Sequence, residues 1–303
     1  MTRDSQRYLH PEVLARISRL ELRARQIVEG FISGTHRSPF HGYSVEFAQH
    51  REYSSGDDLR HLDWKVWARN DRYYIKQYEE ETNLRSVVLL DVSESMHSGD
   101  GPMNKYDYAC SVAASLAYLL IRQQDSVGVM TFDEDVRDHL PPRSHPEHLN
   151  GLVNIMKIGE SQKKTDMERI LMRFNEAYPK RGMLILISDL LAPREGLFRG
   201  LELARFRAHD ILVLHVMDDE ELDFPYSGVT RFEGFEQMGD LNCDPRALRE
   251  DYLKALNRYL TEVRRHCANN GIDYKLIRTR DPLDAALSSF LAHRIAMSKG
   301  RRK

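Results

Sequence analysis

From Ser86 onward, short unbroken apolar runs alternate with stretches whose apolar residues recur every three or four positions. The runs are Ser86–Leu90, Ser126–Phe132, Met183–Ser188, Ile211–Met217 and Tyr274–Arg278, with a short extended piece at Val136–Leu140. The periodic stretches predict helices over Tyr106–Ile121, about 146–157, Thr165–Tyr178, Gly196–Ala208, Arg246–Asn269 and Ala285–Met297. In the third of these, Met167, Ile170, Leu171, Phe174 and Ala177 share one face. Strands that read as continuous apolar runs are buried on both sides. Their alternation with amphipathic helices predicts an α/β fold, a Rossmann-like, mostly parallel sheet with helices on both faces. Ligands of such sheets bind at the carboxyl ends of the strands, near a topological switch point. Candidate chemistry therefore belongs just after the apolar runs.

Upstream the texture differs. Val13, Ile17, Leu20, Ala24, Ile27 and Phe31 recur with helical spacing over Pro11–Ile32, and Pro11 suits a first turn. Gly34–Asn83 is rich in Tyr, His, Arg, Asp and Gly. Tyr43, Val45 and Phe47 alternate as in a half-buried strand, and Arg72–Glu81 again reads as extended. The predicted organisation is a helix and small β-containing appendage over 1–84, the main α/β domain over 85–298, and a basic, solvated tail over 299–303.

Composition changes this picture little. The 303 residues are 41% apolar and 30% charged, with a formal net charge of −2. There is no overall field to favour nucleic acid or an anionic membrane. Three widely spaced cysteines, Cys110, Cys243 and Cys267, predict no disulfide framework and suit a reducing compartment. The polar start lacks the apolar core of a signal peptide, and no apolar stretch approaches a membrane span, so the expectation is a cytoplasmic protein.

The chemistry concentrates in Val87-Val88-Leu89-Leu90-Asp91-Val92-Ser93-Glu94-Ser95. An apolar strand ends in a carboxylate, and two hydroxyls follow at alternate positions. These are hard oxygen donors, suited to Mg²⁺ and poor for soft metals; the same ligand types also admit Mn²⁺ or Ca²⁺. By itself the stretch also reads as a polar strand-to-helix loop. Asp189 follows the run Met183–Ser188 and belongs on the same sheet edge, although it too reads as a solvated strand end. Thr165 precedes Asp166-Met167-Glu168, which fits a helix capping box. No G-x-S-x-G elbow or phosphate-binding P-loop is present, and His145-Pro146-Glu147-His148 does not have the spacing of helical zinc motifs.

Taken in order, Asp91, Ser93, Ser95, Thr165 and Asp189 resemble the metal-ion-dependent adhesion site of von Willebrand factor A domains. The resemblance implies that Ser93, Ser95 and Thr165 bind the metal directly. Asp91 and Asp189 would bind directly or through water, and the sixth position is left for a partner's carboxylate. Where many relatives have Gly-Gly before the threonine, this chain has Lys163-Lys164. Gly42, Phe47, Arg51, Tyr53, Gly56-Asp57-Asp58, Arg60, Asp63-Trp64 and Ala68-Arg69 resemble the signature of the bacterial domain-of-unknown-function family 58. That likeness implies an adaptor for a MoxR-type AAA+ ATPase, in protein maturation or complex assembly. In the upstream signature, Arg51, Arg60, Trp64, Trp67 and Arg69 read either as an ion-pair and aromatic network or as a docking surface, since Trp and Arg dominate binding hot spots. The expected function is a non-enzymatic, metal-dependent protein-binding adaptor. Two alternatives remain open at this point: a Mg²⁺-dependent phosphate-ester hydrolase, and an interaction module that uses the 43–81 appendage with a purely structural metal.

Overall fold

The computed structural model describes residues 45–53, 66–67, 73–80, 85–99, 103–122, 124–156, 165–226, 230–232 and 241–283. The expected helices at Pro11–Ile32 and Ala285–Met297 and the basic tail lie outside the described residues. Two units separate, one within Glu29–Asn83 and one holding the chain from Leu84 onward. In the first, β1 (Val45–Glu52) and β2 (Tyr74–Glu80) form an antiparallel hairpin with a register shift between Phe47 and Gln49. The Tyr53 N–H donates to the Tyr73 carbonyl at 2.9 Å. The Trp67 ring stacks on Tyr73 with centroids 6.0 Å apart.

The second unit is built on a six-stranded sheet of order β10-β7-β6-β3-β4-β5. Its strands are β3 (Arg85–Asp91), β4 (Ser126–Phe132), β5 (Val136–Arg143), β6 (Met183–Ser188), β7 (Asp210–Met217) and β10 (Asp273–Arg278). All neighbours pair in parallel except β5, which runs antiparallel to β4 at the edge. The central strands are buried along nearly their whole length, as an apolar run demands when both faces are covered. β5 alternates between half-buried and exposed positions, as an edge strand does. It also runs through Pro141 and Pro142, three residues past the predicted end. Proline is tolerated there because an edge strand leaves part of its backbone unpaired. Gly128 is required opposite it, since a Cβ would lie 2.6 Å from the Leu140 carbonyl oxygen.

The helices are α1 (Lys105–Arg122), α2 (His148–Met156), α3 (Met167–Ala177), α4 (Arg194–Phe206), α5 (Asp219–Asp223) and α6 (Pro245–Asn269). A short hairpin, β8 (Thr230–Phe232) with β9 (Leu241–Cys243), precedes α6. One core packs α1 and α2 on one face of the sheet, through Tyr108, Val112, Leu152 and Met156 against Val88, Leu90 and Ile185. The other packs α3, α4 and α6 on the opposite face, through Ile170, Phe174, Leu201 and Val263 against Leu89, Leu186 and Val213. The described part of this unit thus has the predicted α/β fold, a mostly parallel sheet with helices on both faces.

α3 and α4 touch closely at Gly200, where a Cβ would meet Leu171 Cδ1 at 2.6 Å and Leu171 Cβ at 2.7 Å. Both Leu171 atoms would have to move, and its Cβ is fixed to the helix. Gly200→Ala is therefore expected to destabilise by about 1–3 kcal/mol, despite alanine's better helix propensity. Urea unfolding checks the sign; a stabilised variant would show that the two helices separate freely.

The sheet order also fixes the place for a site. β3 lies between β4 and β6, and the chain leaves it for β4 on one side before returning to β6 on the other. The carboxyl ends of β3 and β6 flank the switch point, where α/β sheets open a crevice.

Candidate metal centre

β3 ends in Asp91, and its carboxylate is held before anything binds. Oδ1 accepts from the Ser93 N–H at 2.9 Å, and Oδ2 accepts from the Ser188 hydroxyl at 2.5 Å. Ser188 is the last residue of β6, and its Oγ in turn accepts the Leu190 N–H at 2.8 Å. The chain then turns through a short 3₁₀ segment, Glu94–His97. Ser93 starts that turn without spending its side chain on a cap. The Ser93 and Ser95 hydroxyls are buried and face each other at 3.1 Å.

Asp189 follows β6 directly, beside Leu190, which sits in the left-handed region at φ 54°. Asp189 Oδ1 accepts the Leu191 N–H at 3.1 Å, Oδ2 accepts from Lys105 Nζ at 2.8 Å, and the Ser95 hydroxyl also bonds the carboxylate. Beneath it lies His215, buried at the end of β7. Its Nε2–H donates to the Asp189 carbonyl at 2.8 Å, which leaves Nδ1 to accept from the Tyr274 hydroxyl at 2.8 Å.

At Thr165 the structure removes the capping-box alternative. The cap of α3 is Asp166, whose side chain accepts from the Arg169 N–H at 3.1 Å, and no capping box forms with Thr165. The Thr165 hydroxyl is instead buried with no hydrogen-bond partner among the described residues. A buried hydroxyl left unpaired costs about 1–3 kcal/mol, so its persistence calls for a partner. Thr165 lines a groove of about 930 Å³ together with Glu168, Leu191, Arg194, Arg258 and Tyr259.

Burial shapes the charges here. It pushes the Asp91 carboxyl from 3.8 up to about 7, helped by the negative charge of Asp189 and resisted by the Ser188 and Ser93 hydrogen bonds. Burial works on Asp189 in the same direction, but the Lys105 ammonium and the hydrogen bonds from Leu191 and Ser95 outweigh it and lower its pKa. Burial drives His215 down to about 4, so it is neutral at physiological pH.

On one rim of the sheet Asp91 ends β3, Ser93 and Ser95 follow in the turn after it, and Asp189 follows β6 and bonds the Ser95 hydroxyl; Thr165 precedes α3 and lines the groove shared with Leu190 and Leu191. Among the described residues no group of three or more His, Cys, Asp and Glu is arranged to hold a metal. The donors at this rim are two carboxylates supplemented by hydroxyls, with no sulfur and no free imidazole. Such a set suits a hard cation. The 3.1 Å between the two serine hydroxyls matches the cis edge of an octahedron, about 3.0 Å for bonds of ~2.1 Å. Sequence reasoning missed Ser188, Lys105, His215 and Glu221, which fix the site from other elements. Of the upstream candidates, Arg60, Trp64 and Arg69 lie outside the described residues, Arg51 is in β1, and Trp67 is half-buried against Tyr73.

Solved structures similar to this chain include BatB from Bacteroides thetaiotaomicron (15% identical, TM-score 0.46, covering 70% of this chain and 99% of that one). Another is an aerotolerance-related membrane protein from Bacteroides fragilis (15%, 0.45, 71% and 99%). A third is the von Willebrand factor A domain of SpRpn10 (12%, 0.40, 68% and 95%). The expectation of a cytoplasmic protein is corrected here: similar structures come from proteins described as membrane proteins, one aerotolerance-related and one membrane-spanning. No helix among the described residues is itself long and apolar enough to cross a membrane. In sequence, the chain is 26% identical over 289 residues to uncharacterized proteins of Mycobacterium tuberculosis and Mycobacterium bovis, which covers 94% of this chain and 90% of each relative. Residues 49–262 match the family described as protein of unknown function DUF58, and the chain belongs to that family.

Proposed function

We propose that this protein is an interaction module that binds a divalent cation, Mg²⁺ by ligand type, at the rim formed by Asp91, Ser93, Ser95 and Thr165, with Asp189 beside them. The buried, partnerless Thr165 hydroxyl carries this reading, because a cation at that point would satisfy it. The bound metal would supply a site for a carboxylate of a partner protein, a contact that is charged and directional. The chain's own part is to hold the oxygens ready: Ser188 and the Ser93 N–H orient Asp91, and His215 fixes the backbone of Asp189. The groove lined by Thr165, Leu191 and Arg194 would receive the residues flanking that carboxylate. The partner class to try first is a MoxR-type AAA+ ATPase or its client.

Calorimetric titration of Mg²⁺ into chelator-treated protein tests the metal. Saturable binding is expected for the parent. Thr165→Val, which keeps the shape and removes one oxygen, should weaken it about 10–100-fold, and Asp91→Ala should abolish it. Equal affinity in all three would overturn the site. Partner capture that survives both chelator and Asp91→Ala would overturn the adaptor reading while leaving the metal in place.

A further inference from the structure

Lys105 breaks the local rules. It is the first residue of α1, where the helix dipole repels positive charge. It is also only 1% exposed, and lysine is almost never so buried without a strong partner. Two partners explain it. Nζ donates to Asp189 Oδ2 at 2.8 Å and to Glu221 Oε1 at 2.5 Å. Glu221 is fixed in turn, since its Oε2 accepts the Asp218 N–H at 3.0 Å in the capping box that starts α5. Three elements (the start of α1, the end of β6 and α5) thus converge on one ammonium beside the rim that holds Asp91 and Asp189.

A cluster with buried Asp91 and Asp189 needs positive charge. A divalent cation could supply it, but here an ammonium already sits on one of the two carboxylates. We propose that Lys105 is a built-in counter-ion: its ammonium carries the Asp189 charge that a bound cation would otherwise carry, which stabilises the metal-free fold and lowers the affinity for an entering metal. Each Asp189 oxygen accepts a hydrogen bond, from Nζ and from the Leu191 N–H, as each Asp91 oxygen does from the Ser93 N–H and the Ser188 hydroxyl, but only at Asp189 is the donor a cation that offsets the carboxylate's charge. The same positive charge, buried where screening is weak, repels a second cation. The site would then bind metal loosely and reversibly without unfolding when it is lost. This inference rests on the metal-site reading above, and the experiment separates the two.

The experiment measures thermal unfolding in chelator and in Mg²⁺, and Mg²⁺ titration calorimetry, on the parent, Lys105→Met and the double variant Lys105→Met/Asp189→Asn. Lys105→Met should melt well below the parent in chelator, gain more from Mg²⁺ than the parent gains, and bind Mg²⁺ on the order of tenfold more tightly. The double variant should recover most of the melting temperature lost in chelator, because the carboxylate needing the ammonium is gone. Mg²⁺ binding by Lys105→Met but not by the parent would support the counter-ion and sink the metal reading for the native chain. A Lys105→Met that folds only with Mg²⁺ supports it too. A variant that gains no more from Mg²⁺ than the parent, or a double variant no more stable than Lys105→Met, overturns the proposal whether or not the parent binds metal.

Discussion

In chelating buffer at pH 8, Asp91→Asn is expected to unfold at a higher temperature than the parent protein. The Asp91 carboxyl is buried, and its pKa is pushed from 3.8 up to about 7, first by that burial and then by Asp189. Between those two values the folded protein keeps a proton that the unfolded chain has lost. Stability from this group is therefore full below 3.8, falls as pH rises toward 7, and stays reduced above it. The accumulated loss is about 4 kcal/mol at pH 8. Asparagine avoids it, at a cost of about 1–2 kcal/mol for hydrogen bonds imperfectly replaced where Ser188 and the Ser93 N–H now serve a carboxylate. The net gain of about 2 kcal/mol corresponds to roughly 4–8 °C for a domain of this size. Saturating Mg²⁺ should reverse the order, because only the parent keeps the anionic ligand and binding stabilises the folded state by mass action. A residue that destabilises the free fold and is repaid only by ligand belongs to a binding site rather than to the core. Differential scanning calorimetry with and without Mg²⁺ decides it. A parent more stable than the variant in chelator at pH 8 would mean that Asp91 is held by purely structural partners.

The central sheet was legible because strands buried on both faces read as nearly continuous apolar runs, interrupted only by single buried polar residues such as Thr131 and His215. Ser126–Phe132 and Met183–Ser188 match their strands to the residue for that reason. The exits were legible too, since a carboxylate ends each run at Asp91 and Asp189. Where local chemistry offered two answers, only the backbone separates them. Thr165-Asp166-Met167-Glu168 has capping-box spacing, but the backbone puts Asp166 at the cap and frees the Thr165 hydroxyl. The extended piece expected over Val136–Leu140 continues through Pro141 and Pro142 to Arg143, which an edge strand with alternating burial tolerates. Lys105, Glu221 and His215 were invisible for another reason. Lys105 meets Asp189 across 84 positions and Glu221 across 116, and no periodicity encodes such a meeting. One local trace existed: a lysine opening a largely buried helix sits against the dipole, and that conflict pointed to a charge partner elsewhere in the fold.

His215 supplies the opposite pH dependence. It is fully buried at the end of β7, and burial holds its pKa down at about 4 against an ordinary 6.5. In the folded protein it stays neutral, with Nε2–H on the Asp189 carbonyl and Nδ1 on the Tyr274 hydroxyl, while the unfolded chain takes up a proton below 6.5. The contribution of this group is full above 6.5 and is lost as pH falls to about 4, a total of about 3 kcal/mol. Over 4–6.5 the Asp91 and His215 slopes nearly cancel, so the metal-free parent should show little pH dependence from this pair in that interval. His215→Gln removes one side of the balance. Its stability relative to the parent should improve by about 3 kcal/mol on going from pH 7 to pH 4, even if it is the less stable protein at pH 7 through its weaker hold on Asp189 and Tyr274. Urea unfolding at intervals from pH 4 to 7.5 in chelator reads the difference directly. A difference that does not change with pH would mean that His215 titrates normally in the folded state, which its burial and two hydrogen bonds oppose. The same variant should also weaken Mg²⁺ binding, because the Asp189 carbonyl loses the donor that holds the end of β6 against the rim.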